Sequence, residues 1–288
     1  MIFTTFFSFL SSVSKLLHTL KEKMKQPKQD SPGLNRVWNI LEGFKAATDL
    51  LLPRVCAVCG RKLNLKEEHL CLMCWTELPL THFWERTHNS MADKFNGLIE
   101  NELDSYMPAG SYEMYAYAAA LFFYDGAGAY RRIPHQLKYH ANLSLGRRFG
   151  RLLGQKLKTA EHFADADAII PVPLHWTRKW ERGYNQAEII AAEVATELGI
   201  EMRTDILRRC RRTKTQTKVN PEEKSKNVRG AFEASCRTLN CRSLHHVILL
   251  DDVFTSGATL HNCFLALRSA LPVPVRISIV TLGYVGSA

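Results

Sequence analysis

Residues 247–260 read VILLDDVFTSGATL, and this stretch decides the fold. Val247 to Leu250, preceded by His246, form a continuous apolar run of the kind that a central parallel strand needs, because such strands are covered on both faces. Asp251 and Asp252 follow directly. A run of small and hydroxyl residues comes next (Thr255, Ser256, Gly257, Ala258, Thr259), and a helix is predicted over 256–270. Small residues let backbone N–H groups turn inward around a phosphate, and a helix start adds its positive dipole end. Two adjacent carboxylates at the carboxyl end of a strand can accept from sugar hydroxyls or hold a divalent ion, and open α/β sheets place their ligands at that edge. The GxxxxGK[ST] pattern is missing, so this is not a Walker loop. The alternative is a plain strand-to-helix turn, with Thr255 or Ser256 as the cap and the aspartates facing water. That alternative leaves the second carboxylate and the hydroxyl run without a use.

Working outward, Ala116–Tyr124, Ala168–Val172 and Val275–Leu282 also read as strands, while 126–139, 143–157 and 184–198 read as helices. Strand and helix alternating in this way predict an α/β fold with a mostly parallel sheet. Residues 81–115 are polar, contain His82, His88 and Pro108, and read as an irregular connecting segment. Val37, Leu41 and Phe44 mark a short amphipathic helix nearer the start, ended by Pro53. The expected division is 1–50 as an N-terminal extension, 51–80 as a cysteine module, 81–115 as the connection and 116–288 as the α/β domain.

The chain has 288 residues, of which 46% are hydrophobic and 23% charged. This excludes a disordered or fibrous protein and suits one large domain or two modest ones. Its formal net charge is +10, compatible with nucleic acid, phosphorylated metabolites or an anionic membrane surface. The apolar start (IFTTFFSFLSSV) has no basic region before it and is too short to span a bilayer, so a cytoplasmic protein is expected. Met24 is an alternative first residue.

Eight cysteines in such a chain read first as metal ligands. Cys56 and Cys59 form one CxxC knuckle, and Cys71 and Cys74 form a second. Two knuckles complete the tetrahedral four-sulfur shell that zinc accepts, with no position left for water, so this zinc is structural. A redox dithiol or a pair of disulfides are the competing readings. Cys210, Cys236, Cys241 and Cys263 lack the spacing and read as small buried hydrophobes.

VILLDDVFTSGATL resembles the phosphoribosyl-pyrophosphate (PRPP) signature of type I phosphoribosyltransferases. Pro171–Ala191 (PVPLHWTRKWERGYNQAEIIA), Arg212–Phe232 (RTKTQTKVNPEEKSKNVRGAF) and the four-cysteine ribbon together resemble the ComF family of competence-associated proteins, over roughly residues 50–285. The resemblance implies the type I phosphoribosyltransferase fold behind a small zinc ribbon with four cysteine ligands. It implies that Asp251 and Asp252 hold the ribose hydroxyls, directly or through Mg²⁺, and that Thr255–Thr259 cradle the 5′-phosphate. Val172 and Pro173 would form the pyrophosphate turn. Lys214, Gln216, Lys218 and Arg229 would lie in a mobile loop that closes the site. A homodimer is a family-level expectation.

Met202–Gly230 holds ten Lys and Arg against three acids, and Arg131–Lys156 holds seven bases and no acid. Solvated helix faces account for such clusters, but these bracket the PRPP motifs, and PRPP brings several negative charges. Arg178, Lys179 and Arg182 follow the pyrophosphate turn and are the first candidates for binding it, with Asn185 and Gln186 to orient them. Trp176, Trp180 and Tyr184 lie among the same bases. A basic surface with aromatics suits single-stranded DNA, and the competence link of the family points the same way, although the three rings also suit packing against the core. Two functions follow: a phosphoribosyl transfer from PRPP to an unidentified acceptor, or a non-catalytic accessory factor binding DNA or PRPP. The histidines have no metal spacing and read as structural or exposed.

Overall fold

In a computed structural model, residues 53–106, 115–124, 128–210, 230–235, 244–271 and 274–286 are described, with no side chain described for 102–106. Among the described residues seven strands form: β1 (Ala118–Phe123), β2 (Ala168–Pro171), β3 (Glu201–Met202), β4 (Leu207–Arg209), β5 (Phe232–Ala234), β6 (His246–Phe254) and β7 (Arg276–Tyr284). Five of them make an all-parallel sheet in the order β1-β7-β6-β2-β3, the α/β architecture expected. Val247 to Leu250 lie at its centre and are fully buried, which is why that run carries no polar residue. The remaining two, β4 and β5, pair antiparallel as a separate ribbon. The residues between them, which include the expected loop positions Lys214, Gln216, Lys218 and Arg229, lie outside the described residues, as do the predicted N-terminal helix, Cys236 and Cys241.

The main helices are α1 (Leu72–Thr76), α2 (Ser90–Tyr106), α3 (Arg132–Tyr139), α4 (Leu143–Lys158), α5 (Glu161–Ala164), α6 (Trp176–Arg182), α7 (Gln186–Leu198) and α8 (Ala258–Ala270). Helix α4 starts where the Asn142 side chain accepts from Leu145 N and ends with Lys156 and Lys158 complementing its dipole. Its glycines let it lie close on α7: a Cβ on Gly150 would stand 2.8 Å from the Ile190 carbonyl oxygen. Phe149 fills the space beneath, 5.7 Å from Phe122 of β1 and 5.3 Å from Trp75, centroid to centroid.

Right-handed crossovers decide which face each helix covers. The chain steps from β1 to β2 and on to β3 in one direction across the sheet, so α4 and α7 share a face. It steps from β6 to β7 in the opposite direction, so α8 covers the other. Neighbouring strands β2 and β6 therefore send their chains to opposite faces, which opens a crevice at their carboxyl ends. The pairing adds to it. Strand β6 pairs with β2 only as far as Leu250, opposite Pro171, but with β7 as far as Phe254. Residues 251–254 thus line the crevice with one edge unpaired by β2.

Three expectations are corrected. Residues 81–115 are not irregular: α2 occupies 90–106, because Asn89 Oδ1 caps Met91 and Ala92 and because Met91, Phe95 and Ile99 recur at four-residue spacing and are buried. The helix expected from 126 begins at Arg132, after a 3₁₀ turn over Ala129–Arg131. Cys263 is buried as expected, whereas Cys210 is exposed.

Candidate functional site

The crevice between β2 and β6 gathers its polar groups from four directions. Asp251 and Asp252 are the sixth and seventh residues of β6, not members of the loop after it, and Asp251 Oδ1 accepts from the Asp252 amide at 2.8 Å. Asp252 is only 6% exposed. Its Oδ2 stands 2.9 Å from Lys138 Nζ of α3, close enough for an ion pair but off the axis of a hydrogen bond. Burial alone would push the pKa of Lys138 down, yet the two carboxylates reverse this and raise it. Asp251 moves the other way from most carboxylates. Burial raises it first, the charge of Asp252 adds to that, and Lys138 and Arg209 oppose. A second cation, Arg209 of β4, thus acts on Asp251 as well. Its own pKa is lowered, mainly by burial and then by Arg178 nearby.

Beyond Phe254 the chain turns through Thr255–Gly257 into α8. Gly257 is the N-cap residue, with φ +82°, and no side chain caps the helix in the usual way. The closest contact is a long one, 3.4 Å from Ala258 N to Ser256 Oγ. Of the hydroxyls in the alternative reading, Ser256 thus makes one long contact to the first turn of α8. Gly257 is required twice over: its φ is left-handed, and a Cβ there would come within 2.8 Å of Phe254 Cζ and 2.9 Å of Leu98 Cδ1. Lys94 of α2 donates to the Thr255 carbonyl at 3.0 Å and pins the start of the loop.

On the β2 side, Val172 N donates to the Leu250 carbonyl at 2.8 Å and Asn185 Nδ2 donates to the Val172 carbonyl at 3.0 Å, so the Val172–Pro173 turn sits at the mouth of the crevice. Asn185 also caps α7. Gln186 Oε1 accepts from Arg182 Nη1 at 3.3 Å, and Arg182 stacks over Tyr139 of α3. Lys179 is turned aside into an ion pair with Glu188 at 3.0 Å. Of the three bases expected to follow the turn, Lys179 pairs with Glu188, Arg182 meets Gln186 and Tyr139, and Arg178 lies close enough to Arg209 to lower its pKa.

Tyr184 packs inward, its hydroxyl donating to the Leu137 carbonyl at 2.5 Å. The two tryptophans do not follow it. Trp176 is 72% and Trp180 85% exposed, four residues apart on α6 and on the same helical face.

The cysteine module is a separate centre. Cys56, Cys59, Cys71 and Cys74 bring their sulfurs within 4.8 Å of one another, and the Cys59 and Cys71 sulfurs lie 3.7 Å apart. Ligands held tetrahedrally at the usual zinc–sulfur distance stand about 3.8 Å apart, so the four thiols fit zinc. Arg61 Nη2 donates to Cys71 Sγ at 3.1 Å and draws that thiol down to about 6, while burial pushes Cys74 up, leaving a proton for a cation to displace. The module rests on the sheet: Thr81 N donates to the Leu121 carbonyl, and Phe123 N donates to the Pro79 carbonyl.

One further cluster looks catalytic by composition. His246 sits between Asp165 Oδ1 at 2.7 Å and Ser278 Oγ at 2.8 Å. It lies at the amino end of β6, the far edge from the crevice, and Ser278 is fully buried, so no substrate reaches it. Lys138, Arg209 and Lys94 are the site residues that sequence reasoning missed. Lys138 and Arg209 left a signal as members of the two basic clusters, and Lys94 left none.

Residues 47–84 match the double zinc ribbon domain model. The chain is 32% identical to Competence protein F of Haemophilus influenzae over 136 residues, 46% of this chain and 59% of that one. It is 33% identical to the DNA utilization protein YhgH of Salmonella typhi over 131 residues (44% and 56%), and 24% identical to YhgH of Escherichia coli K12 over 211 residues (72% and 80%). The match thus spans less than two thirds of the length of the first two relatives. Among solved structures, a glutamine PRPP amidotransferase from B. subtilis complexed with ADP and GMP is similar at 21% identity and a TM-score of 0.30, over 48% of this chain and 26% of that one. No described helix is long and apolar enough to cross a membrane.

Proposed function

We propose that this homologue of the ComF proteins binds PRPP with Mg²⁺ in the crevice between β2 and β6 and transfers its phosphoribosyl group to an acceptor during the handling of incoming DNA. One observation carries the proposal: two adjacent carboxylates lie on the part of β6 that β2 leaves unpaired, one strand away from the Val172–Pro173 turn and just before a helix start without a side-chain cap. Asp251 and Asp252 then read the ribose hydroxyls. The amides of 256–259 face the 5′-phosphate, and Arg178, Arg182 and Arg209 draw the pyrophosphate. The carboxylates are hard oxygen donors of the kind Mg²⁺ takes, and the ion, when bound, would neutralise the departing pyrophosphate. Lys138 holds the Asp252 charge in place until a ligand competes for it. The rest of the catalysis is positioning and exclusion of water.

The test is calorimetry of PRPP with Mg²⁺, followed by pyrophosphate release against a panel of bases and amines. Binding of PRPP at least tenfold tighter than ribose 5-phosphate is expected, with pyrophosphate release lost in Asp252→Asn. Equal affinities would remove the pyrophosphate role of Arg178 and Arg182.

A second reading, single-stranded DNA binding, is favoured by Trp176 and Trp180, whose exposure removes the alternative that these rings serve the core. Base stacking on such rings is worth roughly 1–3 kcal/mol each. Replacing both by Ala should weaken binding of an oligothymidylate by tenfold or more, and unchanged affinity would dismiss this reading.

A further inference from the structure

Beside the crevice lies a second concavity of about 600 Å³, lined by Tyr124, Arg131, Arg132, His135, Gln136 and His140. None of these residues belongs to the carboxylate pair, the loop after β6 or the Val172 turn. The volume falls within the range of small-molecule sites. Among the described residues that line it there is no acid, and there are two guanidinium groups and two imidazoles.

The walls are held in place by contacts outside the cleft. Arg132 Nη1 donates to the Val58 carbonyl at 2.7 Å, inside the first cysteine knuckle, and the Tyr130 hydroxyl donates to the Cys74 carbonyl at 3.1 Å. The His135 ring packs 4.7 Å from Tyr139 and 5.4 Å from His140, centroid to centroid, which gives the cleft flat aromatic faces as well as N–H donors. His135 and Lys138 are three residues apart on α3 and share a helical face, so the cleft runs toward the cation that pairs with Asp252.

The geometry points to a second ligand site, taking a small molecule that carries a phosphate monoester and a flat ring, the chemistry of a nucleoside monophosphate. Arginine guanidinium groups meet phosphate oxygens bidentately, and a fixed guanidinium loses less freedom on doing so. The rings of His135 and His140 offer stacking surfaces, and the Gln136 amide offers one donor group and one acceptor to a ring edge. A bare phosphate would fill little of this volume. The assignment stands independently of the PRPP reading, since it uses none of the same residues.

The full-length, zinc-loaded protein is titrated with adenosine 5′-monophosphate, with adenosine and with a 5′-phosphorylated oligothymidylate, without PRPP. The monophosphate is expected to bind at least tenfold more tightly than adenosine. Arg131→Ala and His135→Ala should each weaken it several-fold and together at least tenfold, while Asp252→Asn leaves it unchanged. Thermal unfolding of each variant separates loss of the site from loss of the fold. Equal affinity for the monophosphate and adenosine, or full affinity in a folded double variant, overturns the assignment. Binding of the oligonucleotide alone also overturns it, and gives the cleft to a nucleic-acid strand. Monophosphate binding without PRPP binding keeps this site and sinks the reading of the crevice; the converse does the reverse.

Discussion

The zinc ribbon and the carboxyl end of β6 both gather ligating atoms, and they are built in opposite ways. In the ribbon, four sulfurs converge on one point, and further contacts from Arg61 and the Cys71 amide satisfy them from behind. Nothing is left over for a ligand from outside. At β6 the carboxylates stand on a strand edge that its neighbour has left, with cations drawn up from α3 and β4 and a helix start whose N-cap is a glycine beside them. A closed set of donors stabilises its own fold; an open set is held by the fold for something else. The same residue types serve either end, and what separates them is whether the chain completes the set itself.

The largest expected effect tests the closed set. Cys56→Ser should take zinc from about one per chain to none after gel filtration. It should also release residues 55–80 to hydrogen exchange, because such sites hold roughly 10–16 kcal/mol in isolated peptides. The Leu121 and Pro79 contacts would keep the module near the sheet without keeping it ordered. A variant retaining full zinc and full protection would show that three thiolates suffice and that the set is not closed.

Next comes the open set. Asp252→Asn should reduce turnover of PRPP by on the order of 100-fold, the size of effect seen when a charge-stabilising group is removed. It also takes from Lys138 the stronger of its two carboxylate partners, so some loss of thermal stability is expected. Pairing it with Lys138→Met should restore stability and not turnover. If both recover together, the pair is structural and the contrast with the ribbon fails.

Gly257→Ala probes the turn between the acids and α8. The left-handed φ and the approaches to Phe254 and Leu98 predict a loss of about 1–3 kcal/mol, read as a drop of several degrees in unfolding temperature. A neutral substitution would mean that the turn relaxes easily and is not preorganised.

What the sequence made legible follows the same division. Contiguous signals carried through. The HVILL run, the two CxxC knuckles and the acid pair each lie within a few residues, and their neighbours in space are their neighbours in the chain. Lys138, Arg209 and Lys94 reach the crevice from three other elements, so only the crossovers bring them there. Helix α2 was legible in part, from Asn89 as a cap and from Met91, Phe95 and Ile99, but charged residues between them mimicked a linker. Exposure was not legible at all: Trp176 and Trp180 stand outward on α6, whereas Tyr184, just past the Gly183 turn that ends it, reaches inward to the Leu137 carbonyl.

The smallest effect comes from the far end of β6, where His246 offers a control on the same strand. Its two ring nitrogens meet Asp165 and Ser278, and its amide meets Asp167 Oδ2. Unlike the carboxylates, it is satisfied on every side. Burial lowers its pKa below the usual 6.5, outweighing Asp165, which raises it. The unfolded chain therefore takes up this proton before the folded one does. The stabilisation is fully present above about pH 6.5 and is lost as pH falls through the lower, folded value, with a slope no steeper than about 1.4 kcal/mol per pH unit. His246→Gln, which keeps hydrogen bonding but cannot titrate, should flatten that part of the stability–pH curve while leaving PRPP affinity unchanged at neutral pH. A variant that lost PRPP binding instead would couple the two ends of the strand and erase the distinction between a satisfied cluster and an open one.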